Sequence, residues 1–282
     1  MKEAAMQRKR FPLLLLLVFL AGFTMAESAY ALPGQILYPT ASDASGNVSA
    51  NPYYILIPAA AHAAGAAGTN WRTDAAFLDF SSEGMQCTLS LLKAGEDNSF
   101  PQQITFSLGS GQSLAFDDIL MSQFAFNGAA ALSAACTGTG ILVNSRTYND
   151  LRADGRGTFG QNVPGFAKSE LFGVQETAMV LQLHKNSDYR TNIGFAQLAP
   201  QAISITVMVF SNAGVPLGTQ SVTLPPYGYT QINDIFGAVG AGDVTNGYAL
   251  IYSSSSWAKY MAYASVIDNT SGDPVFIAAR QY

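Results

Sequence analysis

Asn70-Trp71-Arg72-Thr73-Asp74 and Asp188-Tyr189-Arg190-Thr191-Asn192 are one short phrase written twice, 118 residues apart. In both places an aromatic, an arginine, a threonine and an acid or amide run into an apolar segment (75–80; 193–198) and then a turn. An alternating stretch follows, Cys87-Thr88-Leu89-Ser90-Leu91-Leu92 in one half and Ile203-Ser204-Ile205-Thr206-Val207-Met208-Val209-Phe210 in the other. Further on, Gln103-Ile104-Thr105-Phe106-Ser107-Leu108 faces Gln220-Ser221-Val222-Thr223-Leu224. Asp118-Ile119 returns as Asp234-Ile235 at an offset of 116, and Thr147-Tyr148-Asn149-Asp150 faces Val266-Ile267-Asp268-Asn269 at 119. Landmarks in one order at nearly constant spacing are what a duplicated segment leaves behind.

A period near 118 residues is too long for a solenoid repeat and close to the size of an independent domain, so each copy is expected to own a core. Within a copy the pattern has period two, is rich in Val, Ile, Thr, Tyr and Phe, and is cut at short intervals by Gly, Asn, Pro and Ser. That predicts an all-β chain of two tandem antiparallel β-sandwich domains. In the second copy the strands are expected near 178–184, 190–197, 202–210, 216–224, 227–232, 246–252, 258–267 and 274–279. Single helical turns are expected at 120–124 and 236–239, capped by Asp117 or Asn233. Alternation places Leu89 and Leu91, and Ile203, Ile205 and Val207, on a buried face. The glycine-rich stretch 155–165 reads as an irregular crossing, giving domains at 52–165 and 166–282.

Before them, Arg8, Lys9 and Arg10 precede a charge-free apolar run at 11–23, and Ala29-Tyr30-Ala31 offers a small-residue cleavage site. Residues 1–31 therefore read as a signal peptide, with 32–51 as an extended leader. The run is shorter than the roughly 20 residues a bilayer crossing needs, which disfavours an uncleaved anchor. No later segment is long and apolar enough to be a transmembrane helix. Segment 1–31 carries a net +2, so removing it takes the chain's −5 to −7 for the mature part. Only 12% of residues are charged and few are basic, so nucleic acid is not an expected partner. Export also bears on the cysteines, Cys87 and Cys136: a disulfide closing a loop of about 50 residues is the expectation, against two buried free thiols.

Chemistry is harder to find. His62 and His184 sit in unmatched local sequences, His62 in an Ala/Gly-rich loop, and read as surface or loop-edge imidazoles. No Gly-x-Ser-x-Gly elbow supports a triad, and two distant Cys with two distant His cannot make a zinc site. Asp268, Asn269 and Asp273, or the pair Asp117 and Asp118, offer oxygen ligands for calcium, yet turn carboxylates ordinarily cap backbone. No cofactor, metal or catalytic residue is expected. Trp71 with Arg72, and Tyr189 with Arg190, form the possible ligand platform; the alternative is a strand-edge arginine packed on its ring for the sake of the fold. Tyr227, Tyr229, Tyr248, Tyr252, Trp257, Tyr260 and Tyr263 crowd the second copy at strand spacing, which suits core lining.

Residues 68–74, Ser145-Arg146-Thr147-Tyr148-Asn149-Asp150 with Gly157-Thr158-Phe159-Gly160-Gln161, and the closing stretch 266–274 resemble a group of secreted tandem β-sandwich proteins of acidobacteria-like and related environmental bacteria. That resemblance spans most of the mature chain. It implies an immunoglobulin-like or fibronectin-like sandwich outside the cytoplasm, and the group carries no settled activity or functional residues to transfer. The function expected is a non-enzymatic extracellular, periplasmic or cell-surface module for adhesion or envelope assembly, with a protein or glycan as partner. A carbohydrate-binding accessory module is the alternative, with an exported hydrolase and an outer-membrane barrel behind it.

Overall fold

The structure, a computed structural model, describes residues 41–42, 48–49 and 52–282. The expected signal peptide at 1–31 lies outside them, as does the leader except for a short antiparallel pair, β1 (Ala41–Ser42) and β2 (Val48–Ser49). The first sandwich contains β3 (Tyr53–Ala64), β4 (Asn70–Asp79), β5 (Met85–Lys93), β6 (Gln103–Leu108), β7 (Ser113–Phe116), helix α1 (Ile119–Phe124), β8 (Gly128–Cys136), β9 (Ile141–Asp150), β10 (Thr158–Pro164) and β11 (Phe166–Ala167). The second repeats that order with β12 (Thr177–Lys185), β13 (Tyr189–Gln197), β14 (Ile203–Phe210), β15 (Pro216–Leu224), β16 (Tyr229–Ile232), helix α2 (Ile235–Ala238), β17 (Val244–Tyr252), β18 (Tyr260–Asp268), β19 (Pro274–Ala278) and β20 (Arg280–Gln281). All eight strands expected in the second copy are present.

Strand order shows the duplication independently of sequence. One layer of the first sandwich runs β6-β5-β8-β3-β11 and the other β7-β4-β9-β10; the second sandwich runs β15-β14-β17-β12-β20 and β16-β13-β18-β19. Every named pairing is antiparallel, and the sheets are open-edged rather than closed into a barrel. Each copy also has a register shift in its first long strand, between Ile57 and Ala60 and between Val180 and Leu183. In the first copy the bulge accommodates Pro58, which has no N–H for the ladder.

Three expectations need correction. The glycine-rich stretch at 155–165 is not irregular, because most of it is β10, paired along β9 from Thr158 to Pro164. Its glycines mark close approach: a Cβ on Gly160 would stand 2.4 Å from the Tyr148 Cβ, and one on Gly165 2.8 Å from the Val143 Cβ. With β11 pairing back to β3, the first sandwich runs to Ala167, and the link to β12 is the stretch 168–176. Second, the helix caps are the Asp residues of the two Asp-Ile pairs, not Asp117 or Asn233. Asp118 (φ 43°) and Asp234 (φ 44°) both adopt the left-handed conformation that Asp tolerates better than most residues. Third, the copies do not own separate cores, since their buried side chains form one continuous cluster within one compact unit.

The reason lies in the faces. Leu89, Leu91, Ile203, Ile205 and Val207 are buried as expected. In β4 and β9 the outward residues Arg72, Asp74, Asn144 and Arg146 remain partly or fully exposed. In β13 and β18 nearly every residue is buried, because the first sandwich covers the outward face of the β16-β13-β18-β19 sheet. Gln161 accepts from Ser265 Oγ at 3.0 Å, Asn149 Nδ2 donates to the Ser271 carbonyl, and Asn98 Nδ2 donates to the Tyr227 carbonyl, so the junction is hydrogen-bonded as well as packed.

The cysteines form a disulfide. Cys87 and Cys136 stand directly opposite each other on β5 and β8, both fully buried, with Cα atoms 4.1 Å apart. Extending the β14–β17 register by one residue beyond Thr206–Tyr252 puts Ile205 and Ser253 in the corresponding places, so the second copy has no such link.

Candidate ligand cleft between the two sandwiches

The repeated Arg-Thr phrase performs one task identically in both copies. Thr73 Oγ1 accepts from the Ala61 N–H and donates to the Ala61 carbonyl, while Thr191 Oγ1 does the same with His184. The next residue also matches: Asp74 accepts from the Asp118 backbone N–H at 2.8 Å, and Asn192 from that of Asp234 at 3.0 Å. These bonds pin the first strand, the second strand and the helical turn of each sandwich to one another. Through them His62 corresponds to Lys185, a pairing that sequence reading missed because the local sequences share nothing.

His62 is accordingly no loop-edge imidazole. It lies within β3, two residues before its end, with Nδ1 2.8 Å from both carboxylate oxygens of Asp118, whose Oδ2 also lies 3.5 Å from Arg72 Nε. Asp117 and Asp118 lie at the turn into α1, and the Asp118 carboxylate is committed to the His62 and Arg72 side chains. In the second copy Lys185 Nζ takes Asp234 Oδ2 at 3.1 Å, and Asp234 also accepts from the Gly237 N–H. Arg190 forms no ion pair among the described residues. Its Nη1 donates instead to Asn269 Oδ1 at 2.7 Å. Burial pulls the Arg190 pKa below the ordinary guanidinium value, with the Asp234 charge pulling the other way; a guanidinium stays protonated regardless.

Arg190 faces a cleft of about 360 Å³ between the two sandwiches. One wall is the small-residue end of β3 and the turn after it (59–66) with Trp71. The opposite wall is the covered sheet of the second copy, with Arg190, Asn192, Gln231 and Tyr263; Gln161 and Asp234 also line it. Alanines and Gly65 keep the first wall low, and a Cβ on Gly65 would stand 2.3 Å from Trp71 Nε1. Tyr263 donates to Gln231 Oε1, and its hydroxyl lies 3.2 Å from that of Tyr229. Burial pushes both phenols above the ordinary tyrosine pKa, Tyr263 furthest, so both are neutral donors and acceptors.

Of the four platform residues, the structure brings Trp71 and Arg190 together across this cleft. Arg72 turns to Asp118 on the other face of β4, and Tyr189 is exposed beside the His184 ring at 5.9 Å. Tyr229, Tyr260 and Tyr263 are buried, as core lining requires, whereas Trp257 is 58% exposed and lies outside the cleft. Asp268 caps its own turn, accepting from the N–H groups of Thr270 and Ser271 and from Ser271 Oγ, which holds its pKa below the usual carboxylate range. Burial raises that of Asp273. Among the described residues no group of three or more His, Cys, Asp or Glu is placed to hold a metal ion.

No family model and no curated relative matches the chain. Among solved structures it is similar to a glycosyl hydrolase family 2 member from Bacteroides cellulosilyticus (13% identity, 88% of this chain and 30% of that one, TM-score 0.17). It is also similar to the Parabacteroides merdae β-glucuronidase (11% identity, 90% and 32%, TM-score 0.17). The chain spans about a third of the length of each, and a likeness this slight carries no argument about activity.

Proposed function

We propose that the protein is a non-enzymatic module of the cell envelope or cell surroundings, serving adhesion or envelope assembly, and that it recognises a carbohydrate in the cleft between its sandwiches. The cleft itself carries this reading. At about 360 Å³ it is a concave site scaled to one or two sugar units. Its aromatic side chains, Trp71, Tyr229 and Tyr263, its low alanine wall and its amides are suited to a hydroxyl-rich ligand with apolar C–H faces. Its one acid, Asp234, is committed to Lys185 and the Gly237 N–H, which supports binding rather than acid–base chemistry.

An address outside the cytoplasm belongs to the same proposal, as does membership of the secreted tandem-sandwich group. The Cys87–Cys136 disulfide supports it, and among the described residues no helix is long and apolar enough to cross a membrane. Purified 32–282 on a glycan array tests the reading. Retention of a defined set of glycans is expected, lost in Trp71→Ala and kept in Trp257→Ala; retention of none overturns the carbohydrate assignment.

A further inference from the structure

Resting on that reading, we infer that the ligand is an acidic sugar whose carboxylate is received by Arg190. The argument comes from comparing the two copies. In the first, the motif arginine is closed on itself, with Arg72 beside Asp118. In the second, Lys185 holds the corresponding acid, Asp234, and Arg190 has no carboxylate within ion-pair distance among the described residues, while the Asp234 charge still acts on it from across the cleft. The side chain that steadies it is also altered. Register carries Asp150 onto Asn269, so the first copy has an acid here, bonded to Arg152, and the second a neutral amide. Asn269 fixes the direction of the guanidinium without cancelling its charge.

Charge and hydrogen bonding in the cleft then point the same way. The charged side chains lining it are Arg190 and Asp234, and Lys185 pairs with Asp234 from outside the lining, so the three charges at this place sum to +1 in a chain whose net charge is −5. Arg190 uses one of its five N–H donors on Asn269. Asn192 spends Oδ1 on the Asp234 N–H and Gln161 spends Oε1 on Ser265, leaving the NH₂ group of each without a partner among the described residues. The unspent groups are donors, and a half-buried guanidinium is the side chain best matched to a carboxylate, which it can bind through two N–H groups. A ligand with a carboxylate beside acceptor hydroxyls satisfies all three.

Digalacturonate and its dimethyl ester, nearly identical in shape and different in charge, make the test. Isothermal titration of 32–282 is expected to show at least about tenfold tighter binding of the acid, with affinity falling as salt rises. Arg190→Gln is expected to remove that preference. Asn269→Asp, which restores the first copy's acid and leaves Arg190 in place, is expected to weaken the acid severalfold while sparing the ester, and Arg72→Gln to change neither. Thermal melts of each variant separate lost binding from lost folding. Equal binding of acid and ester, or an unchanged preference in both Arg190→Gln and Asn269→Asp, overturns the acidic ligand and leaves the carbohydrate reading standing. If neither compound binds and an array retains only neutral glycans, the acidic ligand is overturned; if an array retains nothing, both readings fall.

Discussion

Set side by side, β9 and β18 are the same strand used in two ways. β9 reads Ile-Leu-Val-Asn-Ser-Arg-Thr-Tyr-Asn-Asp and alternates between core and water from Ile141 to Arg146; β18 reads Tyr-Met-Ala-Tyr-Ala-Ser-Val-Ile-Asp and is buried on both faces. The difference lies in the outward positions, where Asn144, Arg146 and Tyr148 in one copy become Tyr263, Ser265 and Ile267 in the other. Duplication supplied two equal sandwiches. Covering one sheet of the second with the first then removed its polar face and created a cleft that neither copy has alone.

The largest effect expected from breaking this asymmetry comes from the disulfide, which only the first copy has. Replacing Cys87 and Cys136 together by Ala releases a loop of 49 residues and should cost about 2–5 kcal/mol in denaturant unfolding. A loss under about 1 kcal/mol would mean that the first sandwich holds its β5–β8 register without the link. Next is Gly194, opposite Tyr263, where an added Cβ would stand 2.1 Å from the ring. Gly194→Ala should cost about 1–3 kcal/mol through overpacking and disturb the cleft wall. Its counterpart Ala76, opposite Asn144, is exposed, and Ala76→Gly should cost under about 1 kcal/mol. Equal costs at the two sites would deny that the second sheet is covered.

The smallest effect is at Asp150, where the hydrogen bond from Arg152 holds the carboxyl at about 2. An acid held below its ordinary value stabilises the folded state above that value and loses the contribution as pH falls toward the lowered one. The window is therefore about pH 4 down to 2. Arg152 is largely exposed, so solvent screening leaves the contribution small. Asp150→Asn should flatten the stability profile slightly in that window. An unchanged profile there would remove the pair from the account.

Much of the fold was legible because strands advertise themselves locally. The repeat, the eight strands of the second copy and the face carrying Ile203, Ile205 and Val207 all follow from spacing and alternation. The cysteine pair followed from the expectation of export and from there being two cysteines. What stayed hidden depended on distant register. Glycines at 160 and 165 look like punctuation until Tyr148 and Val143 are seen beside them. Lys185 stands in for His62 with no shared sequence, and Arg190 differs from Arg72 through Lys185 at the end of β12 and Asn269 in the turn after β18. Of the platform, Trp71 and Arg190 belong to the cleft and Arg72 and Tyr189 do not, although the phrases containing them look alike. One signal was present: the outward residues of 141–150 are mostly polar and those of 260–268 mostly apolar, which is the mark of a covered face.

The chain has two tryptophans, Trp71 in the first sandwich and Trp257 in the second. Trp257→Phe and Trp71→Phe variants therefore report each copy separately in equilibrium unfolding. A shared core predicts that the two fluorescence transitions coincide in midpoint and slope. Two resolved transitions, with one copy melting while the other stays folded, would contradict it.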